Sequence, residues 1–307
     1  MENINHSRRG VAPILVLIGV TILVAGGAVA WNYLTPQSPD KIVAQAVSNF
    51  FSARSFAYNA DFSSGEENVS ANGAIDYSSE SPKFLGVFSV DISSTVGSLT
   101  GELESRFIDD ILYLNLKSNS LPQEGILALV NLFANQWLKI EFSDLNKFNP
   151  ETDTAEIENY LSANKAIRGI IGKHFKNGEI FRVEEEVGEE VLGDVTTTHY
   201  KVYIDKERLA KAAPEIYAEI VKASSDEAVK KEAQPEFLDK MRDDILSAEF
   251  PNLDLWVGRP DHLLYKLESE GLSIAFSNYN KPVAIDVPQG ATNIEEILQT
   301  LFSTVPQ

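Results

Sequence analysis

The sequence predicts an α+β protein built around one large antiparallel sheet, with helices inserted between its strands. Three observations support this class. Apolar and polar residues alternate from Phe56 to Leu116 in short segments bounded by polar turns, helix-forming stretches interrupt the alternation, and alternation then returns over residues 253–288. Helices inserted into such a sheet most simply cover one of its faces, so we expect a curved sheet with a helical lid.

A candidate membrane span precedes the predicted sheet. Residues 11–34 carry no charged side chain, and at about 1.5 Å per residue such a helix crosses the roughly 30 Å hydrocarbon core of a bilayer. Arg8 and Arg9 lie immediately before this segment, which places the N-terminus in the cytoplasm and the rest of the chain outside it. The alternative is a secretory signal cleaved after Ala30, since residues 28–30 form an A-x-A pattern.

In both interpretations the body of the protein is exported, and the anchored one predicts a single-pass protein of the cell membrane. The predicted divisions are a cytoplasmic tail at 1–10, a transmembrane helix at 11–34, a linker at 35–39 and one extracytoplasmic domain at 40–307.

Composition excludes several classes of function. The chain has no cysteine, which removes disulfides, thiolate metal sites, cysteine nucleophiles and a lipidated cysteine anchor. Removing Glu2, Arg8 and Arg9 from the net charge of −19 leaves −20 on the predicted extracytoplasmic part. This acidity disfavours binding to nucleic acid.

The predicted exported domain begins with a helix. Ser38, Pro39 and Asp40 supply an N-cap, a proline at the first helical position and a first-turn acid. The apolar face continues through about residue 53, at helical spacing, on Val43, Ala46, Val47 and Phe50.

Strands and inserted helices follow in a definite order. The alternation predicts strands over 55–63, 71–78, 83–93, 97–108, 110–118, 136–142, 253–259, 262–270, 272–279 and 282–288, with a hairpin over 180–204 turning at 192–194. Helices are predicted at about 122–135 and 153–174, over 206–248 with breaks at 224–225 and near Pro235, and from Thr292 or Asn293 onward. Both faces of residues 111–116 are apolar, which predicts a strand covered on two sides.

Residues that could carry chemistry are dispersed. The four histidines, His6, His174, His199 and His262, belong to no paired metal motif, and His199 is interpreted as a strand-face residue. The acidic run Glu184–Glu186 with Glu189–Glu190 is interpreted as a solvated hairpin or edge-strand protection, Asp109–Asp110 as a turn, and Asn68–Ser70 as a chance glycosylation triplet. No nucleophile, phosphate-loop or dinucleotide motif occurs, so no catalytic, metal or cofactor-binding residue is assigned and no enzyme is predicted.

Large aromatic residues fall within the predicted strands. They either pack between sheet and helices or line a cavity for an acyl chain, and the sequence does not identify which face is concave. The ligand-binding residues are therefore unknown, and the aromatic candidates are Trp137, Tyr200, Tyr203, Trp256, Tyr265 and Phe276.

Several phrases resemble the LolA-like periplasmic lipoprotein-carrier superfamily, and within it the mycobacterial LppX/LprG type of cell-envelope lipoprotein. The resembling segments are 55–63, 136–142, 199–209, 254–268 and 278–298. The resemblance implies an unclosed antiparallel half-barrel whose apolar cavity lies beneath helices and carries lipids or acylated proteins. It implies no catalytic residue, and the predicted transmembrane helix stands where those lipoproteins have a lipidated cysteine.

Together these observations predict a membrane-anchored extracytoplasmic protein that binds a lipid or other apolar ligand in a half-barrel cavity. The alternative is a non-enzymatic cell-envelope structural or interaction module whose half-barrel is filled by its own side chains. A hydrolase has no motif to support it. The expected partners are the membrane, a lipid or lipidated ligand and an envelope protein, with no cofactor and no nucleic acid.

Overall fold

The computed structural model describes residues 38–64, 67–79, 81–94, 97–120, 134–141, 166–176, 180–223 and 235–297. Outside these stretches lie His6, the predicted tail and transmembrane helix, most of the linker, residues 122–133 and 153–165 of two predicted helices, and the predicted break at 224–225. Within them, no helix is both long enough and apolar enough to span a bilayer.

The chain divides into two compact units. The first contains the described residues up to Ala53 and those from 166 to Leu264, and the second contains Arg54 to 141 and Tyr265 to 297. Each unit is described by itself below. The prediction of one domain over 40–307 stays a prediction.

The first unit begins with helix α1 (Pro39–Phe50), as the capping residues and apolar spacing predict. Val43, Ala46, Val47 and Phe50 are fully buried. The N-terminal end is held by Asp40, whose carboxylate accepts hydrogen bonds from the backbone N–H of Val183 at 2.7 Å and from Arg182 at 3.1 Å. A first-turn acid thus fixes the helix to the strand that carries both donors.

The remaining elements of the first unit are helix α2 (166–176), strands β7 (Phe181–Leu192) and β8 (Val195–Ile204), helices α3 (Lys206–Ala223) and α4 (Pro235–Ser247), and strand β9 (Leu253–Gly258). Strand β8 pairs antiparallel with β7 and with β9. Gly193, at φ +60°, lies in the turn of the predicted hairpin. The helical residues from 166 onward confirm the end of the predicted helix at 153–174, and Pro235 begins α4, which confirms the predicted break there.

The second unit contains the meander β1 (Ser55–Ser64), β2 (Glu67–Asp76), β3 (Lys83–Ser94), β4 (Gly97–Ile108) and β5 (Ile111–Ser120), followed by β6 (Trp137–Glu141), β10 (Leu264–Ser269), β11 (Leu272–Ser277) and β12 (Thr292–Asn293). Their order in the sheet is β12-β6-β5-β4-β3-β2-β1-β11-β10. Neighbouring strands of this unit pair antiparallel, except that β12 runs parallel to β6. This confirms an α+β protein with a large, open, mostly antiparallel sheet.

The predicted strand at 282–288 is wrong, because this segment is irregular. The sheet order places β11 and β6 six positions apart, roughly 29 Å at about 4.8 Å per strand. The chain covers this distance across the face of the sheet before forming β12 at the far edge. Pro282 and Pro288 bracket the crossing and cannot donate to a ladder.

Two helix boundaries also differ from the predictions. The helix predicted at 122–135 does not include its last two residues, because Ala134 bridges to Leu116 and Asn135 has φ +61°. The C-terminal helix predicted from Thr292 or Asn293 begins at residue 294, since the two earlier residues form β12.

Candidate functional site

The two faces of the sheet of the second unit differ, because successive strand residues point to opposite sides. One face is apolar; the other, called the polar face, carries charged residues together with one smaller apolar cluster. The apolar face is defined by three cross-strand rows. The first contains Phe56, Ile75, Phe84, Phe107, Leu112 and Ile140; the second contains Tyr58, Gly73, Gly86, Ser105, Leu114 and Leu138; and the third contains Ala60, Ala71, Phe88, Leu103 and Leu116. Apolar side chains therefore form a band from β1 to β6.

The middle row, which we call the glycine row, has three small residues at its centre. Gly73, Gly86 and Ser105 lie directly opposite one another on β2, β3 and β4. Glycine in the interior of a strand weakens the strand and often marks a place where another group approaches the backbone closely. Between the larger side chains of the neighbouring rows, the glycine row is a groove in the sheet surface, called the channel below, and aromatic rings occupy it.

Aromatic rings lean over this channel. A Cβ atom placed on Gly86 would lie 2.5 Å from Cζ of Phe84 and 2.8 Å from Cε2 of Phe88, and one placed on Gly73 would lie 2.9 Å from the Tyr58 hydroxyl. The rings of Tyr58 and Phe84 stack with centroids 6.2 Å apart, and those of Phe84 and Phe88 are 6.3 Å apart. Burial raises the pKa of the Tyr58 phenol, so this hydroxyl stays neutral in an apolar setting.

The polar face is partly covered by the crossing segment, residues 281–291, which we call the strap. Ile285 of the strap packs in a core cluster with Ile108 and Tyr113. Ser55 donates a hydrogen bond to the backbone oxygen of Lys281 at 2.6 Å, and Arg106 donates one to the backbone oxygen of Asp286 at 2.7 Å. The strap covers Tyr113 on this face, whereas Leu112, Leu114 and Leu116 on the opposite face are half-buried, so cover of strand 111–116 on two sides stays a prediction.

A charged cluster lies on the same polar face. Arg106 donates two hydrogen bonds to Glu104, at 2.7 and 3.0 Å, and stands 4.8 Å from the centroid of the Trp137 ring. Lys117 contacts the other oxygen of Glu104 at 2.7 Å. Burial raises the pKa of Glu104, but hydrogen bonds and charges from Lys117 and Arg106 together lower it by more, so the pKa lies below its usual value.

Glu104→Gln should therefore destabilise the protein in a pH-dependent way. A carboxyl with a lowered folded-state pKa contributes stability above its unfolded pKa, and this contribution is lost as pH falls through the folded value. We expect a loss of about 1.5 kcal/mol at pH 7, which shrinks below about pH 4. Urea unfolding of the parent and the variant at pH 7 and below about pH 4 measures this loss of stability. Glu102→Gln, on the same face but 39% exposed, should change stability by less than about 0.5 kcal/mol; equal effects would contradict the prediction.

A cavity of about 430 Å³ lies beside this cluster, but it is not the predicted apolar one. Its lining includes Asp61, Ser70, Asp91, Thr100 and Glu102, which belong to the polar face. Asn68 of the glycosylation triplet also lines it. The described residues therefore give no support to an enclosed apolar cavity, and the half-barrel arrangement stays a prediction.

The described histidines lie in separate places. His174 contacts Glu219 at 3.3 Å, and His262 is in a turn at φ +50°. His199 faces Glu190 on β7 and Asp254 on β9, but these carboxylates contact opposite nitrogens of the ring and do not converge on one point. Among the residues that the structure describes, no group of three or more histidine and acidic side chains is arranged to hold a metal ion.

The acidic run on β7 is exposed, as interpreted, and three of its carboxylates contact basic side chains. Glu185 pairs with Lys201 and Glu189 with Arg259, and Glu190 lies 3.1 Å from Nδ1 of His199. Asp109 and Asp110, both at positive φ, form the turn between β4 and β5, as predicted. Because like charges in a strand repel unless partnered, these contacts explain how the run is tolerated.

The aromatic candidates do not form one site. Tyr200 and Trp256 are buried in the first unit, where Tyr203 is 43% exposed. In the second unit, Trp137 lies on the polar face, Tyr265 contacts Tyr279 with centroids 5.8 Å apart, and Phe276 packs edge-on against Phe56. The residues of the glycine row were missed by sequence reasoning. The available signal was a glycine in the middle of two consecutive predicted strands, the second one flanked by aromatic residues.

Comparisons with known proteins give fold-level similarity at low identity. No family model matches the chain, and no curated protein matches it. Among solved structures, the chain is similar to LprF from Mycobacterium bovis, with 12% identity, a TM-score of 0.44, and coverage of 84% of this chain and 100% of that one. It is also similar to lipoprotein LppX from Mycobacterium tuberculosis, with 11% identity, a TM-score of 0.36, and coverage of 81% and 100%.

The second match is of the LppX type named by the sequence resemblance, which the comparison confirms as a resemblance. With TM-scores below 0.5, neither likeness bears on the ligand or the mechanism of this chain. The function proposed below therefore rests on the chain's own residues.

Proposed function

We propose that this chain is a single-pass membrane protein, N-terminus in the cytoplasm, whose extracytoplasmic part binds a lipid or other apolar ligand without catalysing a reaction. The observation that carries the proposal is the apolar face with its glycine row. A sheet in a soluble domain needs only one apolar face for its core. On the apolar face of this sheet, two glycines and a serine form the centre of the apolar band. Small residues there leave room for a guest once the aromatic rings that fill this space turn aside.

An acyl chain has the chemistry for this channel. Each methylene removed from water contributes roughly 0.8 kcal/mol, so a chain of about ten carbons gains enough to bind in a largely hydrophobic groove. The rings of Phe84 and Phe88 cover Gly86. Rotation of these rings about their side-chain bonds would uncover the glycine row and place aromatic walls on both sides of the guest.

The same rings favour a second candidate function. Tyr58, Phe84 and Phe88 already fill the space over the two glycines, which is what a structural or interaction module with a self-filled core requires. In that case the sheet would hold no ligand, and its surface would contact an envelope protein. The two proposals differ in whether a lipid reaches the apolar face.

Photo-crosslinking tests this difference. The full chain is incorporated into vesicles containing a fatty acid with a diazirine on its tail, irradiated and digested. We expect labelled peptides from residues 83–116, which contain β3, β4 and most of β5. Labelling of residues 11–34 serves as an internal positive control for membrane contact.

Leu103→Asn should lower labelling of the sheet peptides by about tenfold, because losing one large apolar contact costs roughly 1.5 kcal/mol or more. The matched control is Glu102→Asn, on the same strand but on the polar face, which should leave labelling unchanged. Labelling confined to residues 11–34, or equal labelling of Leu103→Asn and Glu102→Asn, would contradict lipid binding on the apolar face and favour the self-filled module.

A further inference from the structure

The side chain of His199 joins three strands of the first unit. Its Nδ1 lies 3.1 Å from Oε1 of Glu190 on β7, and its Nε2 lies 2.6 Å from Oδ1 of Asp254 on β9. The imidazole also stacks on the Trp256 indole, with ring centroids 4.1 Å apart and an angle of 13° between the planes. The side chain is only 12% exposed.

The two carboxylate contacts of His199 depend on how many protons the imidazole ring carries. A carboxylate only accepts hydrogen bonds, and a neutral imidazole has one donor and one acceptor nitrogen. Both contacts of His199 are therefore hydrogen bonds only when the ring carries two protons. A neutral ring leaves one carboxylate facing a nitrogen lone pair at hydrogen-bonding distance.

We propose that His199 is a proton-operated clamp that holds the far end of the β7–β8 hairpin to β9. In the protonated form, the imidazolium binds Glu190 and Asp254 together. Glu190 also accepts a hydrogen bond from Nε1 of Trp256 at 2.8 Å, so one carboxylate of β7 is held by residues of both β8 and β9. Loss of the proton releases one side of this arrangement.

Other charged side chains surround His199, Glu190 and Asp254. On β7, Glu185 is paired with Lys201 of β8 at 2.9 Å, and Lys201 also lies close enough to Asp254 to interact with it. Beyond the strand ends, Arg259 is paired with Glu189. Asp254 therefore faces both His199 and Lys201, and the imidazolium adds to the positive charge that offsets Glu190 and Asp254.

The β7–β8 hairpin has features that would let its end move when the His199 contact is lost. Strand β7 has register shifts between Val183 and Glu185 and between Glu186 and Gly188, and bulges interrupt the ladder locally. Beyond the second shift, the tip residues of β7 are mostly exposed, with Val191 69% accessible. Side-chain contacts at Glu190 therefore add to the ladder with β8, which continues from Glu189 to Leu192.

Fluorescence of Trp256 tests the clamp directly. An imidazolium stacked on an indole quenches its emission by electron transfer, whereas a neutral imidazole does so weakly. In a full chain carrying Trp31→Phe and Trp137→Phe, emission should fall as pH is lowered from about 8 to 5, the range in which histidines change charge. Adding His199→Gln should make emission independent of pH; a pH-independent parent, or the same curve in both variants, would overturn the proposal.

Hydrogen exchange of the unsubstituted full chain gives a second readout that needs no variant to fold. After correction for the intrinsic pH dependence of exchange, amides of residues 189–198 should exchange about tenfold faster at pH 8 than at pH 5.5, as expected for a lost charge-assisted hydrogen bond. Amides of α1 serve as the control and should not change. Equal protection of the hairpin at both pH values would contradict the clamp.

Discussion

Gly73→Ala should destabilise the second unit by about 3 kcal/mol or more, because the new methyl group has no space. Its Cβ would lie 1.9 Å from the backbone oxygen of Leu85 and 2.9 Å from that residue's carbonyl carbon. Backbone atoms of a paired strand cannot move aside as a flexible side chain can. The expected result is a large fall in the urea midpoint, measured by circular dichroism on the full chain.

Gly169→Ala is the matched control for this substitution. Gly169 lies in helix α2, and a methyl group added there would have open space within 4 Å. Alanine is favoured over glycine in a helix interior by roughly 0.5–1 kcal/mol, so this variant should be slightly more stable than the parent. If both variants behaved alike, the close approach of the Leu85 backbone to Gly73 would not be what requires a glycine at this position.

Arg168→Leu should have the second largest effect, a loss of about 2–3 kcal/mol. Arg168 lies on α2 with only 7% of its surface exposed, and donates a hydrogen bond to the backbone oxygen of Ala53 at 2.8 Å, with that of Phe51 at 3.5 Å. These carbonyls follow the C-terminal end of α1, where the helix dipole favours a positive charge. Leucine keeps much of the volume but leaves buried acceptors without this donor.

Urea unfolding at pH 7 measures the effect of Arg168→Leu. The matched control is Lys176→Leu, an exposed position on the same helix, which should shift stability by less than about 0.5 kcal/mol. Comparable losses in the two variants would show that the cost arises from removing any cation from α2, and not from the buried carbonyls.

Local sequence patterns predicted most of the described elements. The meander from Ser55 to Ser120 follows from alternation, which is a property of each strand by itself. Helix α1 follows from an equally local combination of capping residues and apolar spacing. These predictions succeeded because the information lies within about ten residues of the element that it specifies.

The strap shows where local information fails. Val283 and Ile285 alternate with polar or small residues as strand residues do, and both pack against the sheet in the same cluster. A residue that packs on a sheet and one that belongs to a sheet have the same apolar requirement. The difference depends on whether the chain has a ladder partner, which is set by its path from β11 to β6.

The candidate sites depended on register, which sequence did not supply. Gly73 and Gly86 form a channel only because β2 and β3 place them directly opposite. For β7, simple alternation was assumed over the acidic run, but two register shifts change which residues share a side. Glu190 therefore reaches His199, a contact between residues nine positions apart.

The strap also has a consequence for how the protein acquires its structure. At the start of the strap, a hydrogen bond joins Lys281 to Ser55. Just beyond the end of the strap, strand pairing joins Thr292 to Leu138. Contacts between residues so distant in sequence raise the contact order and slow folding. Because the strap packs on a surface that the meander supplies, we expect Tyr113 and its neighbours to be buried only after the meander has formed. A chaperone acting on this protein would find its target on that side of the sheet.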